Sequence, residues 1–277
     1  MIKNATNYLW CFGLIILIFL LLQIDFYKAW MYIRKINIEY LILYFILLIM
    51  SFFLKSLRLS LNVNSIGNYI SPLNCFLITF KSSLLSFFTP ARSGELIIIK
   101  YLYDQNIKLT AGITIFVYGR VIDIYLYLLF TVGILIWINF SDFNLPNVIS
   151  ILIIIILIVF YKTFINFFLL TIEYVNNSTF KINLEKLNDI KAYISQISNI
   201  IYLFSIMNIF LITLQIIVLK RTFNIQVENL YLIFINFTSS LLSILPLSLS
   251  GLGVREANYI YFLSLKDIDK DLSFIFS

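Results

Sequence analysis

Seven charged side chains lie inside, or at the breaks of, segments that are otherwise apolar: Lys81, Arg92, Glu95, Arg120, Asp123, Arg255 and Glu256. Charge at membrane depth is costly, so it faces a bundle interior, a partner or a water-filled cavity. Four of these residues sit in two short stretches with the same ingredients. Pro90-Ala-Arg-Ser-Gly-Glu95 sets Arg92 and Glu95 around Gly94, and Gly251-Leu-Gly-Val-Arg-Glu256 sets Arg255 and Glu256 just after Gly251 and Gly253, with Pro246 upstream. Glycine and proline free backbone groups, and irregular backbone in a membrane is tolerated where protein or a watery cavity covers it. The chain has only eight glycines and four prolines, so the gathering of Pro90, Gly94, Pro246, Gly251 and Gly253 beside two arginines marks two broken segments. One interrupted segment in each half is also the sequence pointer to a midplane binding site. Half-helices starting near Ser93 and Val254 would turn free N–H groups and a positive dipole end toward each break. With an arginine beside each, the chemistry is anion binding. Phosphate suits it, because guanidinium engages phosphate through paired donors.

Spacing adds a second layer. Glu95 follows Arg92 by three residues and Asp123 follows Arg120 by three, so on a helix each pair shares a face and neutralises itself. Ion pairs that only fix helix packing explain the same residues, Arg120 with Asp123 most readily. That explanation is weaker in a membrane, where an apolar pair would cost less.

The elements that must position these residues are set by composition. The 277 residues are 61% hydrophobic and 12% charged, against about 25% charged in a soluble domain. The mean hydropathy is +0.96. Half of the usual solvated surface is missing, and no stretch is long and polar enough for a soluble domain. One integral membrane domain over residues 1–277 is expected. The net charge of +6 is read as topogenic, through the bias of Lys and Arg toward cytoplasmic loops, and not as a nucleic-acid footprint. There is no histidine, which excludes imidazole general-base chemistry and cysteine–histidine metal sites. Neither a metal nor a cofactor is expected. Cys11 and Cys75 lie in separate apolar segments and read as small packing residues.

A span needs roughly 20 apolar residues. Residues 8–24 and 40–59 meet that requirement, joined by a loop with Lys28, Arg34 and Lys35; Lys55 and Arg58 at the end of the second span can snorkel to headgroups. Residues 73–89 and 96–103 are each short of a span and flank the first break, which predicts a re-entrant pair of half-helices. A long run over 113–140 carries Arg120 and Asp123. Residues 148–170 span again, and the polar stretch 173–195 reads as a loop or surface helix. Spans or half-spans follow at 197–219, 230–249 and 254–265, and 272–277 reads as the stub of a truncated final helix. The fold class is therefore all-α and polytopic, with about six to eight helices and two broken, re-entrant segments in a pseudo-repeat arrangement. Loop charges score two opposite placements of the N-terminus equally, and both put Lys162 to Lys191 in the cytoplasm.

The same residues carry a family resemblance. Phe88-Thr-Pro-Ala-Arg-Ser-Gly-Glu-Leu96, then Gly119-Arg-Val-Ile-Asp123, then Leu245-Pro-Leu-Ser-Leu-Ser-Gly-Leu-Gly-Val-Arg-Glu-Ala257 resemble the three signatures of the flippase-like family, the membrane region of lysylphosphatidylglycerol synthases. Order and spacing match from roughly the second span to the end, and the last signature is the most specific. The resemblance implies a multi-pass inner-membrane protein that moves an anionic or aminoacylated lipid, or a lipid-linked intermediate, between leaflets. In the synthases the aminoacyl transfer belongs to a separate cytosolic domain, so that activity is not carried over. Gly119 departs from the family, which often has an acid there, and leaves Arg120 less compensated. On this basis Arg92 and Arg255 are expected to hold a phosphate headgroup and Glu95 and Glu256 to orient them. Arg120 and Asp123 would form an inner gate or support. The expected partners are membrane lipids, chiefly anionic phospholipid or lipid phosphate. Two other functions stay open: a membrane-embedded transferase acting on a lipid or polyprenyl phosphate, with Glu95 or Asp123 as base, and a scaffold whose Lys162–Lys191 loop recruits a cytosolic or membrane enzyme.

Overall fold

The computed structural model describes residues 9–89, 92–139, 200–244 and 248–277. Among the described residues there are ten α-helices and one turn of 3-10 helix at Ser93–Leu96. In chain order the helices are α1 Leu9–Leu22, α2 Phe26–Arg34, α3 Ile38–Ser65, α4 Pro72–Phe87, α5 Ile97–Asp104, α6 Leu109–Asn139, α7 Ile200–Thr222, α8 Asn229–Leu242, α9 Val254–Ser264 and α10 Lys270–Phe276. Among the described residues three helical stretches are long and apolar enough to cross a bilayer: Ile38–Ser65, Leu109–Trp137 and Ile201–Thr222. The 28 residues of α3 rise about 42 Å at 1.5 Å each, more than the roughly 30 Å of a hydrocarbon core. The chain is an all-α polytopic membrane protein.

Several helices end in the same way, and the reason is local. Gly67, Asn106, Asn224 and Asp267 have left-handed φ values of 79°, 63°, 54° and 56°. In each case the next N–H reaches back to the carbonyl five residues earlier: Asn68 to Val63, Ile107 to Leu102, Ile225 to Lys220 and Ile268 to Leu263, at 3.1–3.4 Å. Glycine, asparagine and aspartate tolerate that conformation best, and the motif satisfies carbonyls left open by the last helical turn.

The residues group into two compact units, each drawn from separated stretches of chain. The first contains Met1–Ser51, Ser83–Glu95 and Ile209–Ser277. Here α9 packs on α1, α8 and α10, and α10 packs on α2. Its core holds Tyr259, Phe276, Leu263, Ile235 and Phe237, all 0–1% exposed. The Tyr259 ring meets Phe276 edge-on at 5.7 Å, and its hydroxyl donates to Asn236 Oδ1 at 3.1 Å. Asn258 also crosses from α9 to α8, donating to Ser239 Oγ at 2.7 Å.

The second unit contains Phe52–Ser82 and Leu96–Asn208. Leu59, Val63, Ile70, Cys75, Ile78, Leu102, Ile107, Ala111 and Ile115 form its buried cluster, in which α5 packs on α6. Ser60 ties α3 to the chain before α4 by donating to the Ile70 carbonyl at 3.0 Å.

One expectation is corrected. The stretch with Lys28 and Arg34, predicted as a loop, is helix α2, because Asp25 caps it by accepting from the N–H groups of Tyr27 and Lys28 at 3.0 and 3.3 Å. The polar residues from Asn62 continue α3 to Ser65 and turn only at Gly67. In the tail, α10 starts at a cap formed by Asp269 and buries Phe276.

Candidate functional site

The turns at both breaks belong to the first unit, whereas α4 up to Ser82 and α5 belong to the second. α4 ends at Phe87 and the chain turns through Thr89. Gly94 N–H donates to Thr89 Oγ1 at 2.6 Å, and Thr89 Oγ1 in turn lies 3.3 Å from the Ser86 carbonyl as donor. A Cβ on Gly94 would sit 2.6 Å from the backbone of Leu85, so the turn folds back on the end of α4 only because the residue is glycine. Arg92 adopts a left-handed φ of 55°, and its carbonyl accepts from Glu95 N–H at 3.1 Å to open the 3-10 turn. Arg92 and Glu95 are both half-buried.

The second break runs from the end of α8 to the start of α9. Ser250, Gly251 and Gly253 all have positive φ, at 50°, 97° and 84°. A Cβ on Gly253 would fall inside the Gly13 carbonyl and within 3.0 Å of Leu17 N, so backbone of the loop rests directly on α1. Glu256 Oε2 accepts from Gly253 N–H at 2.6 Å and closes the start of α9 as a capping carboxylate. Arg255 N–H donates to the Gly251 carbonyl at 2.8 Å. Two donors at the N-terminus of α9, Gly253 N–H and Arg255 N–H, are thereby occupied, and the Arg255 side chain is the cationic group there to meet an anion. That guanidinium lies 5.8 Å from the Tyr259 ring centre one turn on. Its Nε is buried without a hydrogen-bond partner among the described residues, as is the hydroxyl of Ser248.

The two breaks meet through the backbone. Ser250 N–H donates to the Thr89 carbonyl at 3.2 Å. Arg92, in the turn after α4, and Arg255, in the first turn of α9, thus lie three and five residues from that bond in sequence.

Arg120 and Asp123 belong to the second unit. Asp123 is not neutralised by Arg120 alone, as the three-residue spacing suggests. It takes both Nη atoms of Arg58 in α3: Nη1 meets Oδ1, and Nη2 meets Oδ2 at 2.9 Å. Arg58 Nη1 also donates to Ser205 Oγ on α7 at 2.9 Å. Gly119 lies under this pair, since a Cβ there would touch Arg58 Nη2 at 3.7 Å. Arg120 lies against Phe116, 5.8 Å from the ring centre. Beside them Tyr118 and Tyr202 share a 2.6 Å hydroxyl contact. Arg58 is the functional-grade residue that sequence reasoning misplaced. As the last cation of its apolar run it reads as a snorkelling end, and nothing local signals a partner 65 positions away.

Lys81 lines an open cleft of about 260 Å³ with Asn74, Leu77, Tyr101, Asp104 and Gln105, its ammonium 6.0 Å from the Tyr101 ring centre. Among the described residues no group of three His, Cys, Asp or Glu side chains could hold a metal. Pro90, Pro246 and the Lys162–Lys191 loop lie outside the described residues.

Comparison with known proteins now adds to this geometry. The family model for the lysylphosphatidylglycerol synthase TM region matches residues 9–277. A UPF0104 membrane protein of Methanocaldococcus jannaschii is 50% identical over 46 residues, which is 17% of this chain and 20% of the relative. The matched stretch is thus about a fifth of that relative's length.

Proposed function

This chain belongs to the lysylphosphatidylglycerol synthase TM region family, and from that premise we propose that it moves an anionic or aminoacylated phospholipid, or a lipid-linked intermediate, between leaflets. The observation that carries the reading is the junction of the two breaks, Ser250 N–H on the Thr89 carbonyl, with Arg92 three residues beyond it on one side and Arg255, in the first turn of α9, five residues beyond it on the other. Two guanidiniums beside the breaks suit a lipid phosphate, which offers several acceptor oxygens to planar paired donors. Arg255 supports this most directly, because its Nε is desolvated and has no acceptor among the described residues. A phosphate oxygen would supply one. Glu256 has a different task in this scheme from the orienting role the sequence suggests. It holds the start of α9, and so the position of Arg255, by capping Gly253 N–H. Arg58 and Asp123 act as a support in the second unit, clamping α3, α6 and α7. The short helices on either side of each break, α4 with 16 residues and α5 with 8, α8 with 14 and α9 with 11, fall below the roughly 20 residues of a span. They enter the bilayer as re-entrant halves.

The test is lipid movement in vesicles. With full-length protein reconstituted among fluorescent anionic phospholipids, Arg92→Ala and Arg255→Ala should each slow transbilayer exchange by tenfold or more. Arg255→Lys should retain part of it, since lysine keeps the charge but not the fork. Equal rates for wild type and both alanine variants would remove the site assignment. A protein-dependent product from a lipid-phosphate acceptor would favour transfer over transport.

A further inference from the structure

Helix α2 leaves α1 at 86° after a break of a few residues. Its side chains fall on four flanks, one of them formed by Tyr27 and Met31, 72% and 41% exposed. Phe26, Trp30 and Ile33, spaced at i, i+4 and i+7, form one apolar stripe and are 68%, 53% and 42% exposed. Lys28 and Lys35 lie on the opposite side, seven residues apart. The flank between them faces protein: Ala29 is buried against α10's side, and Tyr32 donates its hydroxyl to Asp269 Oδ2 at 2.8 Å. Arg34 folds back over the Trp30 ring at 5.5 Å, its charge near the edge of the apolar stripe.

A helix with that cross-section fits one environment. Were α2 the returning half of a bent span, Lys28, Arg34 and Lys35 would all enter hydrocarbon. Were it a water-exposed loop helix, Phe26, Trp30 and Ile33 would form a solvated apolar stripe. Lying flat at the bilayer surface, it buries the stripe below, lifts the lysines toward water and lipid phosphates, and puts aromatic and arginine side chains at the boundary they favour. The corner that turns it is rigidly built. Asp25 caps α2, its own N–H donates to Asp271 Oδ1 at 3.0 Å, and Lys270 Nζ donates to Gln23 Oε1 at 2.8 Å.

We propose that α2 is an in-plane anchor seated in the phospholipid headgroup layer, and that it fixes the Gly13–Gly253 contact near the bilayer midplane. α1 drops from the corner almost at right angles, with Phe12, Ile15, Ile18, Phe19 and Leu22 exposed along it and no charge in its length. From Leu22 back to Gly13 is nine residues, about 14 Å of helix rise. Half of a hydrocarbon core is about 15 Å. Gly253 rests on Gly13, so the start of α9 and Arg255 sit at that depth. The occupant of the apolar stripe is the acyl-chain and headgroup boundary of the bilayer, chosen over a protein partner by the cations ranged on the other side.

Depth-dependent quenching tests both halves. Trp10→Phe with Trp137→Phe leaves Trp30 as the sole tryptophan of the full chain in phospholipid vesicles containing anionic lipid. A companion protein also carries Trp30→Phe and Phe12→Trp, a lipid-exposed position next to Gly13. Labels near the headgroup should quench Trp30 at least twofold better than labels at the chain ends, with the order reversed for the Phe12→Trp probe. Equal or inverted quenching of Trp30, or quenching only by an aqueous agent, would overturn the anchor. A shallow Phe12→Trp signal would overturn the depth of the site. In the unmodified protein a membrane-impermeant amine reagent added to both faces should label Lys28 and Lys35 by mass spectrometry. Protection of both from it would also sink the proposal.

Discussion

Asp123 shows how a single residue is stabilised at depth. Its carboxylate is met by both terminal nitrogens of Arg58, and the side chains of the pair keep only 22% and 15% of their exposure. Such a pair gives little over an apolar one, yet removing one member strands a buried charge at a cost of about 3–5 kcal/mol. Arg58→Met is therefore expected to destabilise the protein strongly, Asp123→Leu likewise, and the double variant to recover most of the loss. Thermal unfolding in detergent followed by intrinsic fluorescence measures this. If the double variant falls as far as the sum of the singles, the pair is not the reason. The candidate charges were legible singly, because charge is rare in this chain. Their partners were not, since the i, i+3 rule sees only one helix and Arg58 comes from another.

Between residues and molecule, the elements are joined by contacts that only missing side chains allow. Gly253 meets α1 backbone to backbone at a φ of 84°. Alanine at a left-handed position costs about 1–2 kcal/mol, and its Cβ would have to displace the Gly13 carbonyl as well. Gly253→Ala should therefore lower the unfolding midpoint sharply. Gly133→Ala, in α6 with nothing within 4 Å of a new Cβ, should leave it unchanged or raise it, as alanine favours a helix by about 1 kcal/mol. A midpoint for Gly253→Ala matching that of Gly133→Ala would contradict the contact. Sequence marked Gly251 and Gly253 as a break through composition alone. It did not show what the second glycine touches, because the apolar run around Gly13 carries no sign that a loop docks there.

Taken whole, the molecule presents apolar side chains outward along its long helices: Phe45, Ile46, Ile49 and Phe53 on α3, and Leu203, Ile206 and Phe210 on α7, are among those exposed by 45–62%. Only lipid can cover such faces on helices that satisfy their own backbone groups. The protein should stay in the membrane pellet through an alkaline carbonate wash and leave only with detergent. Release by the wash would argue for a peripheral association. At this scale the sequence is most transparent. Apolar runs punctuated by proline, glycine and charge predict helices near 40–59, 73–89, 113–140 and 254–265, and α3, α4, α6 and α9 lie there. Helix α2 escapes that reading, because nine residues of mixed polarity resemble a loop until the Asp25 cap is weighed.

The seat of Gly253 on Gly13 has a consequence for how this sequence can change over generations. Where a large residue packs on a small one, drift is reversible: one side grows as the other shrinks, and volume is traded across the contact. Here both sides are already at the smallest residue there is. Any side chain gained at position 253 has no counterpart to yield at position 13. A lineage that loses Gly253 can return only by regaining it or by moving a helix, since backbone alone stands in the way of a new side chain there.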